Sequence, residues 1–298
     1  MAFTNLKCNH ETRIFPQIGY PLGSIAAPYV YNPLLERFNI NEICFPVEIK
    51  KENLGRFIDV VHTLDIKHFI VTMPHKKGIV RYLDEVQGTA RLFGCVCIVK
   101  VEEGRLIGKS TEAKGAINAM RAHGTSFSGK EALVMGAGSI VGPILYQLAE
   151  EGVKKTTIVN IILEEAEQVA KIIRENTSMA VDIMILTPEN LDKASENAEL
   201  FLQCTPLGMG GFGHDHKYLR FMDRLPKTCS VLDVVGNPPE TKVIKRAREL
   251  GLTVTYGMDM LIAQAVDIFE FCFGITPKEE DIALSKDSLR GYVGNWGE

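Results

Sequence analysis

Residues 131–148 constrain this chain more than any other stretch. Glu131-Ala132-Leu133-Val134-Met135 is a short apolar run of the kind that is buried on both faces in a parallel sheet. Gly136-Ala137-Gly138-Ser139 follows, and from Ile140 the residues Ile140, Ile144, Leu145 and Leu148 share one helical face. A strand, a glycine-rich turn and a helix start make an anion site. Glycine lets the backbone come close, and the first helical N–H groups face the ligand. Gly136 and Gly138 fit the first two glycines of the dinucleotide fingerprint, while Val141 stands at the third and Gly142 one place later. The turn therefore predicts that Gly136, Ala137, Gly138, Ser139 and Ile140 hold a dinucleotide. The alternative is a strand–helix connection that needs only a tight turn.

The stretch does not stand alone. Further strands are predicted at 156–160, 179–185, 199–203, 230–234 and 252–255, with helices near 163–175, 189–196 and 239–250 between them. That alternation is a doubly wound Rossmann dinucleotide-binding domain over 111–256. Upstream, strands at 13–19, 43–49 and 67–72 alternate with helices at 28–38 and 54–64. A helix is expected over His75–Leu83, and a hairpin turns across Glu102-Glu103-Gly104. These make an N-terminal α/β domain of about 1–110, completed by apolar C-terminal helices within 257–298. At 298 residues the chain suits two α/β domains.

Charge and cysteine usage exclude several classes. A net charge of −4 gives no footing for nucleic acid. No apolar run reaches the ~18 residues of a membrane span, and Met1–Arg13 lacks the apolar core of a signal peptide. The expectation is a cytoplasmic protein without membrane contact. Seven scattered cysteines read as buried thiols, with Cys95 and Cys97 on opposite faces of a strand. No metal is expected, because His214-Asp215-His216 has no third partner nearby in the chain.

Open α/β sheets place ligands beyond the carboxyl ends of their strands. Lys76 follows the strand ending at Thr72, Glu112 opens a helix after Gly108-Lys109-Ser110-Thr111, and Gln264 is one amide in an apolar helix. A lysine and a carboxylate beside a bound nicotinamide suit the proton that accompanies hydride transfer. The plainer alternatives are a solvated lysine, a helix-start carboxylate and a satisfied core amide. His75, Lys77, His214 and His216 read as surface residues. Thr205-Pro206-Leu207 opens a glycine-rich loop near the cofactor, and Asn160 ends the second strand where an adenosine ribose is expected.

At these residues the chain resembles the shikimate/quinate dehydrogenase family over nearly its full length. Gly19-Tyr20-Pro21…Pro28-Tyr29-Val30-Tyr31-Asn32 is similar to the family's G-x-P-x-x-H-S-x-S-P-x-x-H-N, and Val71-Thr72-Met73-Pro74-His75-Lys76 to N-V-T-x-P-x-K. Thr205-Pro206-Leu207-Gly208-Met209 matches T-P-L-G-M, and Gly257…Met260-Leu261…Gln264 matches G-x-x-M-L-x-x-Q. The resemblance implies reversible NAD(P)-dependent oxidation of a ring hydroxyl in a shikimate- or quinate-like compound. It makes Lys76 the catalytic lysine and Glu112 the stand-in for its aspartate partner. It puts Thr72, Cys97, Ser110 and Gln264 at the substrate and Gly257 at the cofactor.

The departures bear on specificity. The family's two carboxylate-holding serines are Ile25 and Ala27 here, with Ser24 the nearest substitute. Its asparagines are Cys97 and Ser110, and a tyrosine is Gly236. Fewer donors predict weak turnover of shikimate and a less polar ring acid, or a carbonyl compound, as the substrate. Arginine, which holds the 2′-phosphate of NADP in the family, is replaced after Asn160 by Ile161, and Glu164 and Glu165 follow. The expectation is NAD, with NADP left open. The implied partners are a small-molecule substrate and, as an alternative to a monomer, a second copy of the chain. Two rival readings are a dinucleotide-binding regulatory relative and a methylenetetrahydrofolate-dehydrogenase-like enzyme.

Overall fold

The computed structural model describes residues 8–22, 26–294 and 296–297. Its elements run β1 (Arg13–Gly19), α1 (Ala27–Arg37), β2 (Glu42–Glu48), α2 (Leu54–Thr63), β3 (His68–Val71), β4 (Glu85–Val86), α3 (Thr89–Phe93), β5 (Ile98–Glu102) and β6 (Arg105–Lys109). Then come α4 (Glu112–Ala122), β7 (Glu131–Met135), α5 (Val141–Glu150), β8 (Lys155–Asn160), α6 (Leu163–Asn176), β9 (Ala180–Ile185), α7 (Pro188–Ser195) and β10 (Leu200–Gln203). The chain closes with β11 (Ser230–Asp233), α8 (Lys242–Glu249), β12 (Thr253–Tyr256), α9 (Gly257–Phe273) and α10 (Glu279–Val293). Two compact units result. One runs through Thr111 and resumes at Gln264, and the other is Glu112–Ala263. The later division falls inside α9 rather than at Gly257, where the pattern had suggested it.

In the first unit the strands lie in the order β2-β1-β3-β5-β6-β4. β1 pairs parallel with β2 and β3, whereas β5 runs antiparallel to β3 and β6. One face carries Ile18, Phe57, Phe69, Val71 and Val99 in a single apolar cluster. On the other, the Phe15 ring meets Tyr31 of α1 at 5.7 Å and Phe273 of α9 at 6.2 Å. α10 is tied to α1 by polar contacts as well. Arg37 Nε donates to Asp281 Oδ1 at 2.7 Å, and Ser285 Oγ donates to the Val30 carbonyl at 2.6 Å.

Sequence pattern and structure part company at three places here. Residues 75–83 form successive turns and one short 3₁₀ turn, Val80–Tyr82, instead of a helix. The bonds there are mostly of i→i+3 type, such as Tyr82 N to Ile79 O and Leu83 N to Val80 O. Gly78 in mid-segment also disfavours a helix. Secondly, β5 begins only at Ile98, so Cys95 and Cys97 precede the strand, and both are buried. Thirdly, His75 is buried rather than on the surface. No disulfide is present among the described residues, and burial pushes the Cys44 and Cys204 thiols up, away from the reactive thiolate.

The second unit is a parallel sheet of order β12-β11-β10-β7-β8-β9. Its order reverses between β10 and β7, which is where such sheets open a crevice for ligands. Leu133, Val159, Phe201, Phe221 and Val231 fill one face, with the Phe201 and Phe221 rings edge-on at 5.3 Å. Thr187 caps α7 and Thr241 caps α8, accepting from Asn190 N and Ile244 N at 3.2 Å each. Among the described residues no helix is long and apolar enough to cross a membrane.

Candidate active site

In the first unit the carboxyl ends of β1, β2 and β3 are stitched into one rim. Thr72 N donates to Ile18 O at 2.9 Å, Tyr20 N to Met73 O at 3.0 Å and Ile49 N to Gly19 O at 2.9 Å. A Cβ on Gly19 would lie 2.5 Å from Thr72 Cγ2, so this approach requires glycine. Lys76 sits on the loop after β3, half-buried, with its carbonyl accepting from Val96 N at 2.9 Å. Beside it, the inward-turned His75 ring bonds through Nε2 to the Ile49 carbonyl at 2.6 Å. That contact explains the burial of His75, and the neighbouring Lys77 is exposed as expected.

Cys97 and Ser110 flank the same rim. Cys97 N donates to Lys109 O at 3.0 Å, and its sulfur accepts from Thr111 N at 3.2 Å. The thiol thus makes a local bond where the family pattern has an amide. Ser110 and Gln264 are half-buried, the former just past β6 and the latter on α9. Ala27 is a buried first residue of α1, while Ser24 and Ile25 lie outside the described residues. A separate cavity of about 450 Å³ lies between α1 and the start of β2, near Asn32, Glu36 and Glu42. It is at the amino ends of the strands, away from Thr72 and Lys76.

The second unit presents the glycine turn. Gly136 has φ +109°, and a Cβ there would come 3.0 Å from the Cys204 carbonyl, so both conformation and space demand glycine. α5 starts at Val141, one residue later than the apolar spacing implied. Among the described residues the amides of Ala137, Gly138, Ser139 and Ile140 have no acceptor in the protein, and a Cβ on Gly138 would meet nothing within 4 Å. Open space over unbonded amides at a helix start fits a pyrophosphate. Glu112 opens α4, and Gly257 opens α9.

Thr205-Pro206-Leu207 follows β10 and is folded by a residue the sequence pattern did not single out. Gln203 Oε1 accepts from Thr205 N and Oγ1, both at 2.7 Å, and its Nε2 donates to the Thr205 carbonyl at 2.9 Å. The only clue was a glutamine closing a buried apolar strand, Leu200-Phe201-Leu202-Gln203. Asp233 lies alongside. It accepts from Thr241 Oγ1 at 2.6 Å, Val235 N at 3.0 Å and Gln203 Nε2 at 3.4 Å.

Burial pushes Asp233 up to about 6, despite hydrogen bonds from Thr241, Val235 and Gln203 that act downward. A carboxyl raised from 3.8 to about 6 binds more protons folded than unfolded between those values. Its stabilising contribution is therefore complete below about pH 4 and lost by about pH 6, roughly 3 kcal/mol in all. Urea midpoints from pH 4 to 7 should show this fall in the native protein relative to Asp233→Asn, and parallel curves for the two would refute it.

A cavity of about 550 Å³ lies over the carboxyl ends of β7, β8 and β9, bounded by Met135, Ile161, Leu186, Thr187 and Leu207. His216 also lines it and is buried, contrary to the surface placement expected, and burial lowers its pKa. His214 is exposed, and Asp215 is engaged by Lys242 at 3.0 Å. At the tip of β8, Asn160 Nδ2 donates to the Ile162 carbonyl at 2.9 Å and to Glu165 Oε2 at 3.2 Å. Ile161 beside it is 68 % exposed.

The comparisons agree with this two-part layout. The shikimate dehydrogenase substrate-binding domain matches residues 18–99, and the shikimate/quinate 5-dehydrogenase domain matches 118–206. A shikimate dehydrogenase (NADP(+)) of Alkaliphilus metalliredigens is 34% identical over 270 residues, covering 90% of this chain and 94% of its own. The chain belongs to the shikimate/quinate dehydrogenase family. Among solved structures, a shikimate dehydrogenase in complex with NADP+ superposes with TM-score 0.85 at 27% identity, covering 96% of this chain and 98% of the other. A ligand-free 5-ketofructose reductase of Gluconobacter does so with TM-score 0.82 at 25% identity, covering 95% and 99%. This family member is an NAD(P)-dependent oxidoreductase acting on CH–OH, which sets aside the methylenetetrahydrofolate and purely regulatory readings.

Proposed function

We propose that the chain transfers hydride reversibly between NAD and a ring hydroxyl of a shikimate- or quinate-like compound. The observation that carries this is the fastened loop after β3, which holds Lys76 at a carboxyl rim in a chain 34% identical to a shikimate dehydrogenase. The amides of Ala137–Ile140 would hold the pyrophosphate of a dinucleotide, which when bound would supply the hydride acceptor. Lys76 Nζ takes the hydroxyl proton as the alcohol is oxidised and returns it in the reverse direction. Glu112 is its partner, orienting the ammonium and sharing hydrogen bonds with neighbouring hydroxyls. Thr72, Ser110 and Gln264 orient the ring.

The reading of NAD rests on the tip of β8. Exposed Ile161 offers no charge to a 2′-phosphate, and the Glu165 carboxylate beside Asn160 repels one. A second reading, a carbonyl compound outside the ring acids, is favoured by the likeness to 5-ketofructose reductase and by apolar Ala27 and Cys97. Turnover of shikimate, quinate, less hydroxylated ring alcohols and 5-ketofructose with each cofactor tests both. Turnover of a ring alcohol with NAD is expected, and activity on 5-ketofructose alone would replace the first reading with the second.

A further inference from the structure

β1 alternates between two surroundings. Ile14 and Ile18 pack on the Phe57 and Phe69 side of the sheet, and Phe15 faces Tyr31 and Phe273 on the other. Gln17 therefore shares the face of Phe15. The strand register extends its row sideways, Gln17 beside Ile70, Ile70 beside Ile98 and Ile98 beside Lys109. α9 crosses this row, because Lys109 Nζ lies 5.4 Å from the ring centroid of Phe271. Phe273, a little further along the helix, meets Phe15 one row lower. The helix thus descends as β1 ascends. Gln264, two turns or about 10 Å before Phe271, lies toward the carboxyl rim. The next residue of β1 on this face is Gly19, against Thr72.

A polar side chain enclosed at this level ordinarily has a partner. Gln17 is half-buried, and its enclosed Oε1 accepts no hydrogen bond. Amide oxygen and nitrogen exchange places by a flip of the group, so the carboxamide is equipped to meet either a donor or an acceptor. Among the described residues no group donates to the carboxamide oxygen, and it lies one row below the rim that carries Thr72 and Lys76.

We propose that Gln17 is a specificity residue for the substrate, its carboxamide completing its hydrogen bonding on a ring hydroxyl. The proposal rests on the reading of the chain as a ring-alcohol dehydrogenase. A hydroxylated ring satisfies the amide, and a ring without hydroxyls leaves it bare, so the residue selects for oxygenation at the inner end of the pocket.

The sign of the stability change separates this role from a structural one. Gln17→Met keeps the length of the side chain and removes both polar atoms. If the amide is bare in the ligand-free protein, its removal leaves Tm unchanged or raises it. The dissociation constant for shikimate, measured by calorimetry without cofactor, should rise about tenfold. That for cyclohexene-1-carboxylate, which lacks the hydroxyls, should not change. Gln17→Leu should reproduce the same tenfold loss with a differently shaped side chain. A fall in Tm for both variants, an unchanged shikimate affinity, no shikimate binding by the unaltered protein, or an equal loss for the two acids would overturn the proposal. Turnover by the unaltered protein across the alcohol panel is scored independently, so failure of the dehydrogenase reading is visible apart from this one.

Discussion

Lys76→Ala should lower kcat by about 10²–10⁴-fold, the range a positioned general acid–base contributes, while the dissociation constant for cofactor barely moves. The loop geometry makes this a clean experiment. Val96 N on the Lys76 carbonyl, His75 N on the Thr72 carbonyl and the His75 ring on the Ile49 carbonyl hold the backbone without the lysine side chain. Truncation removes the amine and leaves the rim in place. Proton transfer belongs to the transition state, so kcat and kcat/KM should fall together. A rise in KM with kcat intact would make Lys76 a binding residue only, and an undiminished kcat/KM would remove it from the site.

The second large effect is on cofactor choice. Ile161→Arg should tighten NADPH binding by about tenfold or more, the worth of one charge-assisted hydrogen bond to phosphate, and leave NADH nearly unchanged. Ile161 is 68 % exposed and Ile162 is 43 % exposed, so the new side chain displaces no core. Its cost to stability should stay within about 0.5 kcal/mol. Glu165 caps the attainable gain, because its carboxylate reaches the same turn through Asn160. Fluorescence titration with both reduced cofactors decides the matter. Tighter NADPH binding by the unaltered protein would show that cations elsewhere replace the missing arginine, and the assignment of NAD would fall.

Much of this architecture is legible in the sequence alone. Parallel strands buried on both faces are runs of apolar residues, and Leu133-Val134-Met135 or Leu200-Phe201-Leu202 can be little else between glycine and helix signals. The segment His75–Leu83 departs from its pattern for a physical reason. Its apolar spacing suits a helix, but the His75 ring is drawn inward to the Ile49 carbonyl and the backbone closes tight turns instead. Burial of His75 and His216 was invisible for a related reason, since His75 meets the Ile49 carbonyl and His216 lines one cavity with Met135 and Leu186, all far away in the chain.

The sequence by itself determined the element order of the second unit, the glycine turn at Gly136 and the placement of Lys76 just past a strand. Each depends on neighbours within a few positions, where side-chain periodicity and backbone sterics act. Only the tertiary structure decided which polar groups find partners. Gln203 folds the Thr205 turn, Asp233 is enclosed with Thr241, Asn160 spends its amide on Ile162 and Glu165, and the Gln17 Oε1 accepts no bond. Hydrogen bonding is directional and short-ranged, so it is settled by strand order and register, which local pattern does not encode.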